Sequence, residues 1–588
     1  MSAAPLPSPA SPANAEAANA RDAALTTPAF GFDTQPYTRL PAPLGNPATD
    51  LHIARRRAIA AVFITIATAV WAGLLGAQAP PPEPRLVVPT AVVTSIQINR
   101  ENVFDKAELE RWLARAMNGL HITTREAVVA RELLFTPGEP YDSIQAAETA
   151  RNLRKLDVFR DVTVDSVRTD SGVMARVTTR DSWTTQISAS FKSGGDQITW
   201  GIGLKEKNLL GLGIKAGVKY TDDPDRSTTS FNMTLPRVWR NRLDVSGSYD
   251  LLSDGEKGRI SIGAPFNSLI TPWSATFDGV YDDIDVLRFF EGEEVASDTV
   301  RRLLSTLTMR GAWARHATKT GYRRTGVAVR FRRDDFADSL IADADRSFFG
   351  DLEVNIEVSQ SQYSVIRGYR GLGGPEDVDL SRTIRAGLWV APKALGYERT
   401  GFGPALTVHA GKAFRGGFTY LDGRASSLFT GSGLDSGTVA GGGALALQPK
   451  PRHSMLVSAS GGMAKNPHPG AEFDLGLTFG PRGFPAHSFT GDRAFFTTAE
   501  YKWTAWPDVI GLFAVGFAAF GDYGGAWYNG SPRRTGGDAG FGLRLGSTRG
   551  SASKGATRID LAHRFANDAL GAAWVLAIGS GFPFDRPR

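Results

Sequence analysis

C-terminal to Thr184 the chain alternates apolar and polar residues with a period of two, segment after segment. "QITWGIGLKEK" sets Ile198, Trp200, Ile202 and Leu204 against Thr199, Gly201 and Gly203. "GIKAGVKYTDD" sets Ile214, Ala216, Val218 and Tyr220 against Lys215, Gly217 and Lys219. "RLDVSGSYD", "GVAVRFRRDD" and "TRIDLAHRFA" repeat the device, the last with Ile559, Leu561 and Phe565 opposite Asp560, Ala562 and Arg564. Successive side chains of a strand point to opposite faces, so each segment predicts a strand with one apolar and one polar face. Candidate strands number roughly 16 to 21, which for a closed antiparallel sheet predicts an even count of about 16 to 20.

Residues 91–180 have a different texture. "AVVTSIQIN" is a strand candidate, and "TTREAVVARELLF" a helix with Thr123 and Glu126 at capping-box spacing. "TPGEP" breaks that helix, and Asp142 opens a second one, "DSIQAAETARNLRKLDVF". Two strands, "DVTVDSV" and "VMARVTT", follow around the turn "RTDSG", giving the order β-α-α-β-β.

A soluble sandwich and a membrane barrel both alternate, and three observations separate them. The alternating region runs to the C-terminus without a change of composition, longer than one soluble core sustains. Trp200, Trp273, Trp503, Trp506, Trp527 and Trp574 recur near strand ends, as in the interfacial girdles of a barrel in lipid. An export segment is also present: Arg55, Arg56 and Arg57 precede an apolar run that ends in small residues and prolines. Residues 54–79 thus read as a signal peptide or a membrane anchor, with cleavage after Ala77 favoured over Ala79, because Pro80 would follow the latter. Residues 1–53, rich in Ala and Pro, read as disorder or as a start codon assigned too far upstream, and 80–90 as a linker. Lipid leaves no free strand edge satisfied, so the sheet must close. The fold class is mainly β, a transmembrane antiparallel barrel over 184–588 with one small α/β domain over 91–183.

Composition narrows the chemistry. With no cysteine there is no disulfide scaffold, thiolate metal site or cysteine nucleophile. The net charge of +6 is spread along the chain, so nucleic acid is not an expected partner. The eight histidines are scattered, no Gly-x-Ser-x-Gly elbow occurs, and no phosphate-binding glycine loop is present. No enzyme activity, cofactor or metal is expected. His487 reads as a solvated loop residue, and His563 falls on the lipid side of its strand without an evident reason.

One stretch does call for a role. "GLTFGPRGFPAHSFTGDRAFFTTAEYKW" is strand-like at both ends and turn-rich around Arg482, Gly483 and Phe484. If this loop folds back into the lumen, the guanidinium of Arg482 needs carboxylate partners, since an unpaired buried charge is strongly unfavourable. Inward carboxylates on neighbouring strands can meet it with paired hydrogen bonds. Gly483 then permits a tight backbone, and Phe484 wedges the loop against the wall.

These segments resemble the BamA/TamA-type outer-membrane assembly proteins, also called the bacterial surface antigen family. "RELLFTPGEPYDSIQAAETARNLRKLDVFRDVTV" is similar to a helix-helix-strand stretch of a POTRA domain, and "LKEKNLLGLG" to the second barrel strand and its exit. "PRGF" with "FTGDRAFFTTAEYKW" is similar to the family's inward loop and next strand, and "FGDYGGAW" to the strand that meets it. The resemblance implies periplasmic POTRA domains ahead of a barrel of about 16 strands, five of them after the loop. It makes Arg482 the loop arginine, Glu500 and Asp522 its partners, and Phe582 or Phe584 the terminal aromatic signal. It also implies strand addition at a seam between the first and last strands, "TQISASFKSGG" and "GAAWVLAIGSGF". Its expected partners are outer-membrane lipids, unfolded outer-membrane or secreted client proteins, and accessory lipoproteins. Only one POTRA-like domain is evident, and the second Arg-Gly-aromatic, in "IRGYRGLGG", reads as an ordinary loop because too many strands follow it. A dedicated secretion pore of the two-partner type and a passive outer-membrane channel are the alternatives.

Overall fold

The computed structural model describes residues 91–580, apart from 106–107, 111, 195–196, 240–242, 291–292, 296–298, 337–347, 373, 468–469, 477–478, 551–555 and 568–569. The export segment 54–79, the stretches 1–53 and 80–90, and the terminal aromatics Phe582 and Phe584 lie outside the described residues.

β1 (Val93–Glu101), α1 (Trp112–Leu120), α2 (Glu126–Ala130), α3 (Ser143–Lys155), β2 (Phe159–Thr169) and β3 (Gly172–Asp181) form a small α/β unit. Its sheet runs β1-β3-β2, with β1 parallel to β3 and β2 antiparallel to it. A parallel pair needs a long crossover, and the helices supply it. Alternation along β3 buries Val173, Ala175 and Val177, and the last two pack with Val128, Val129 and Leu153 of the helices. Asp142 caps α3, its Oδ1 accepting the Ile144 N–H at 2.8 Å. The capping box expected at Thr123 and Glu126 does not form: α2 begins at Glu126 behind Arg125, with no side-chain cap. The adjacent Thr124 is drawn instead to the buried carboxylate of Asp181, donating to it from its backbone N–H at 2.7 Å and its hydroxyl at 3.0 Å. α1 is an element the sequence did not mark. Its Ala114 packs with Val103 and Phe104 beneath Leu512 of a barrel turn.

The remaining strands follow in chain order. They are β4 (Thr185–Gly194), β5 (Gln197–Leu209), β6 (Ile214–Asp222), β7 (Ser227–Arg237), β8 (Leu243–Leu252), β9 (Gly255–Ala264) and β10 (Trp273–Val286). The short pair β11 (Phe289–Phe290) and β12 (Glu293–Glu294) precedes β13 (Val300–Thr318), β14 (Gly321–Phe336) and β15 (Phe348–Gln360). The hairpin β16 (Tyr363–Arg367) and β17 (Pro375–Asp379) precedes β18 (Arg382–Ala391), β19 (Gly401–Phe414), β20 (Gly417–Thr430), β21 (Gly433–Lys450) and β22 (His453–Lys465). A last short pair, β23 (Phe473–Leu475) and β24 (Phe489–Gly491), leads to β25 (Arg493–Val509), β26 (Phe513–Trp527), β27 (Gly536–Ser547), β28 (Thr557–Arg564) and β29 (Ala573–Ser580).

Apart from the three short pairs, these strands close into one antiparallel barrel of 20 strands. The favoured count of 16 is therefore corrected to 20, at the top of the expected range. Five barrel strands, β25–β29, follow Arg482, so the surplus lies ahead of it. Alternation fixes which face each side chain takes, whereas closure is set by strand tilt and stagger, which alternation does not encode.

The outer face carries the apolar half of the pattern. Ile198, Trp200, Ile202 and Leu204 are exposed, as are Trp273, Trp503, Trp506 and Trp574. This is the architecture of an outer-membrane β-barrel. His563 belongs to that face as well: its ring meets Trp574 edge-on at 4.8 Å and Phe565 at 5.7 Å. It lies one residue from the end of β28, within an aromatic cluster.

One end of the barrel faces the α/β unit. Arg125 N–H donates to the Gly211 carbonyl in the β5–β6 turn at 2.9 Å, and Asn152 to the Asn267 carbonyl between β9 and β10 at 2.9 Å. Across the seam, among the described residues, β29 pairs with β4 through Leu576 with Ser193, Ala577 with Lys192 and Ile578 with Phe191. On its other side β29 pairs from Ala573 to Ser580 along β28. A barrel of 20 strands is wider than its own side chains can fill, so what occupies the lumen becomes the question.

Candidate functional site

The connection between β22 and β25 enters the lumen from the end opposite the α/β unit. It turns at Gly476, whose N–H donates to the Phe479 carbonyl at 2.7 Å, and then carries Pro481, Arg482, Gly483 and Phe484 inward. The Arg482 side chain is 9% exposed. Its Nε donates to Asp522 Oδ2 at 2.7 Å and its Nη2 to Asp522 Oδ1 at 3.1 Å, a two-pronged pair. Its Nη1 reaches Glu500 Oε2 at 3.0 Å and Asp560 Oδ2 at 3.3 Å, and Nη2 reaches the Thr498 hydroxyl at 3.3 Å. The guanidinium also lies 3.6 Å from the centre of the Phe520 ring. Burial pulls the Arg482 pKa down, but the facing carboxylates of Asp522 and Glu500 outweigh it and hold the proton more tightly than usual. The structure thus brings Arg482, Glu500 and Asp522 together.

Further residues complete the cluster. Arg544 of β27, almost fully buried, donates to Glu500 Oε2 at 2.9 Å and to Asp560 of β28, so Glu500 and Asp560 each bridge two arginines. Both carboxylate oxygens of Glu500, Asp522 and Asp560 face a guanidinium, which offsets the cost of burying them. Gly483 N–H donates to Asp538 Oδ2 at 2.9 Å, and Arg564 Nη1 donates to the Gly483 carbonyl at 3.3 Å. A β-carbon at Gly483 would lie 2.8 Å from that of Asp538 and 3.1 Å from that of Arg564, so glycine serves close approach here. Phe484 is completely buried with Leu475, Phe489 and Ala526, and its ring fills the space a β-carbon on Gly536 would need.

Asp560, Arg544, Asp538 and Arg564 were not singled out from sequence. A signal existed: Asp560 and Arg564 occupy the polar face of "TRIDLAHRFA", and Asp538 and Arg544 that of "GDAGFGLRLGS". Inward alternation identifies lumenal charges, but not which of them meet.

His487 is not the solvated loop residue expected. It lies between Asp474 Oδ2 at 2.5 Å and Asp225 Oδ2 at 2.9 Å, with its ring stacked on Phe289 at 3.5 Å. Burial disfavours the imidazolium, but hydrogen bonds to Asp225 and Asp474 raise its pKa to about 10. The protonated ring ties the loop to the turn between β6 and β7. Four-fifths of the way along the chain, the loop is thereby anchored to both sides of the seam, through β25–β28 on one side and Asp225 on the other.

The sequence matches no protein-family profile and no curated protein. Among solved structures, the chain is similar to BamA from Haemophilus ducreyi lacking POTRA domains 1-3, at 11% identity and TM-score 0.37, covering 83% of this chain and 84% of that one. It is similar to CdiB from Escherichia coli at 13% identity and TM-score 0.40, covering 85% and 93%. It is also similar to the FrpB iron transporter from Neisseria meningitidis (F5-1 variant) at 6% identity and TM-score 0.37, covering 72% and 88%. Any functional reading therefore rests on the loop and the seam rather than on these likenesses.

Proposed function

We propose that the chain is an outer-membrane barrel of the BamA/TamA type, which assists insertion or translocation of proteins by strand addition at a lateral seam. The observation that carries this reading is the seam itself, where Phe191, Lys192 and Ser193 are the only residues of β4 that pair with β29 among the described residues. Where such a seam opens, the freed backbone groups of β4 are a template for another strand. The wall on one side of the seam is fixed by the Arg482 cluster, and opening the seam also has to release the loop's tie to the other side, from His487 to Asp225. The α/β unit, read as a POTRA-like domain in the periplasm, offers the edges of β1 and β2 to unfolded clients by the same pairing. Outer-membrane lipids and unfolded client proteins are the partners, with accessory lipoproteins as further candidates.

The test depletes the protein and compares the outer-membrane and secreted proteomes. Assembly activity predicts a broad loss of barrels, while loss of a single secreted protein would indicate dedicated two-partner-type export. An unchanged proteome together with a wide, ungated conductance would indicate a passive channel. A cysteine pair, Ser193→Cys with Leu576→Cys, joins register partners in a chain with no cysteine of its own. Its oxidation should abolish activity and reduction should restore it; full activity with the seam oxidised would refute strand addition there.

A further inference from the structure

The second Arg-Gly-aromatic segment is not an ordinary loop. The hairpin β16–β17 arises between β15 and β18, at the barrel end that faces the α/β unit, and its tip enters the lumen. The Glu376 carboxylate fixes the shape of that tip: Oε1 accepts the backbone N–H groups of Tyr369 at 3.1 Å and Gly371 at 3.1 Å, and Oε2 that of Arg370 at 2.9 Å. Lys502, on the inner face of β25, donates to the Tyr369 carbonyl at 3.0 Å and the Gly371 carbonyl at 2.8 Å. Leu372 sits against β26 and β27, where β-carbons on Gly516 and Gly546 would come within 3.2 and 3.1 Å of it. Tyr369 meets Phe418 of β20 edge-on at 4.9 Å, so the tip packs along the arc of wall from β20 to β27.

Glu500, which holds Arg482, and Lys502, which holds this tip, are successive inward residues of β25. Two segments entering from opposite ends therefore meet along one strand. The base of the hairpin is gripped by α3. Arg154 Nε donates to Asp377 Oδ2 at 2.6 Å and its Nη2 to Asp377 Oδ1 at 2.8 Å, while the Arg151 guanidinium covers the Tyr363 ring at 4.5 Å.

We propose that the hairpin of β16 and β17, with its described tip residues 368–372, forms a second plug, which closes the lumen at the end facing the α/β unit and is held shut by Arg154 of that unit. The α/β unit thus controls the lumen as well as lying beneath it: when α3 moves away, the bidentate pair breaks and the hairpin loses its outer support. The inference goes beyond the assembly reading and depends only on the barrel standing in a bilayer, so a failed client assay would leave it intact.

The test is single-channel recording of the full chain in planar bilayers. The wild type should be mostly closed. Asp377→Ala, and independently Arg154→Ala in the other unit, should each raise the open probability about tenfold or more, the effect expected from losing a charge-assisted pair. Leu372→Cys with Gly546→Cys places two β-carbons close enough to bridge, and no native cysteine competes. In the Asp377→Ala background, oxidation of this pair should return the open probability to the wild-type level and reduction should release it. Wild-type conductance in both single variants would overturn the proposal. So would an oxidised pair that leaves the channel open, or failure of the pair to form in either redox condition.

Discussion

Arg-Gly-aromatic occurs twice in the barrel, at Arg482–Phe484 and at Arg367–Tyr369, and the two copies enter the lumen from opposite ends by different means. In the first, the arginine side chain is the anchor: it is buried among Asp522, Glu500 and Asp560, and the backbone follows it. In the second, the Arg367 side chain is exposed, and the anchors act on the backbone instead. Glu376 gathers the amides of the tip, and Lys502 takes its carbonyls. The same tripeptide thus supplies a charged side chain in one place and a tight, glycine-permitted turn in the other, where Gly368 adopts a φ of 72°. Three residues do not make a site; the charges waiting on the facing strands do.

The comparison is broken most directly by removing each arginine. Arg482→Ala leaves three carboxylates without their shared cation and should destabilise the barrel by about 3–5 kcal/mol, read as a lower denaturant midpoint in lipid or detergent. Arg367→Ala should lie within about 0.5 kcal/mol of wild type in the same assay. Equal effects from the two would remove the distinction between the loops.

A second tier tests the chemistry of each anchor. Arg482→Lys retains the charge but cannot make the two-pronged contact with Asp522, and should cost about 1–3 kcal/mol by the same midpoint. Lys502→Met leaves the Tyr369 and Gly371 carbonyls without their donor. It should expose the β16–β17 hairpin to protease from the side of the α/β unit while sparing the Arg482 loop.

The smallest expected effect concerns pH. The imidazolium of His487 has its pKa raised from 6.5 to about 10, so its contribution is fully present below the unfolded value and is lost as pH rises through about 10. Stability of the loop, followed by protease cleavage near Ala486, should therefore fall between pH 6.5 and 10, and His487→Ala should flatten that dependence. A slope of opposite sign would mean that Asp474 and Asp225 do not hold the ring in its charged form.

The sequence by itself determined the faces. Period-two alternation, with tryptophans near strand ends, identified a barrel and assigned Asp560, Arg564 and Glu500 to its interior, because a strand's side chains have only two directions to take. It also located the loop, since an arginine and an aromatic amid turn residues interrupt that alternation visibly. Tertiary structure decided what alternation cannot carry: the closure at 20 strands, the convergence of Arg544 and Asp560 on Arg482, and the capture of His487 by Asp225, more than 200 residues earlier in the chain. It also decided that "IRGYRGLGG" enters the lumen, a fate written in Lys502, Gly516 and Gly546 and not in the segment itself. Pairing between distant strands depends on stagger and tilt summed around the whole cylinder, and no local window of residues contains that sum.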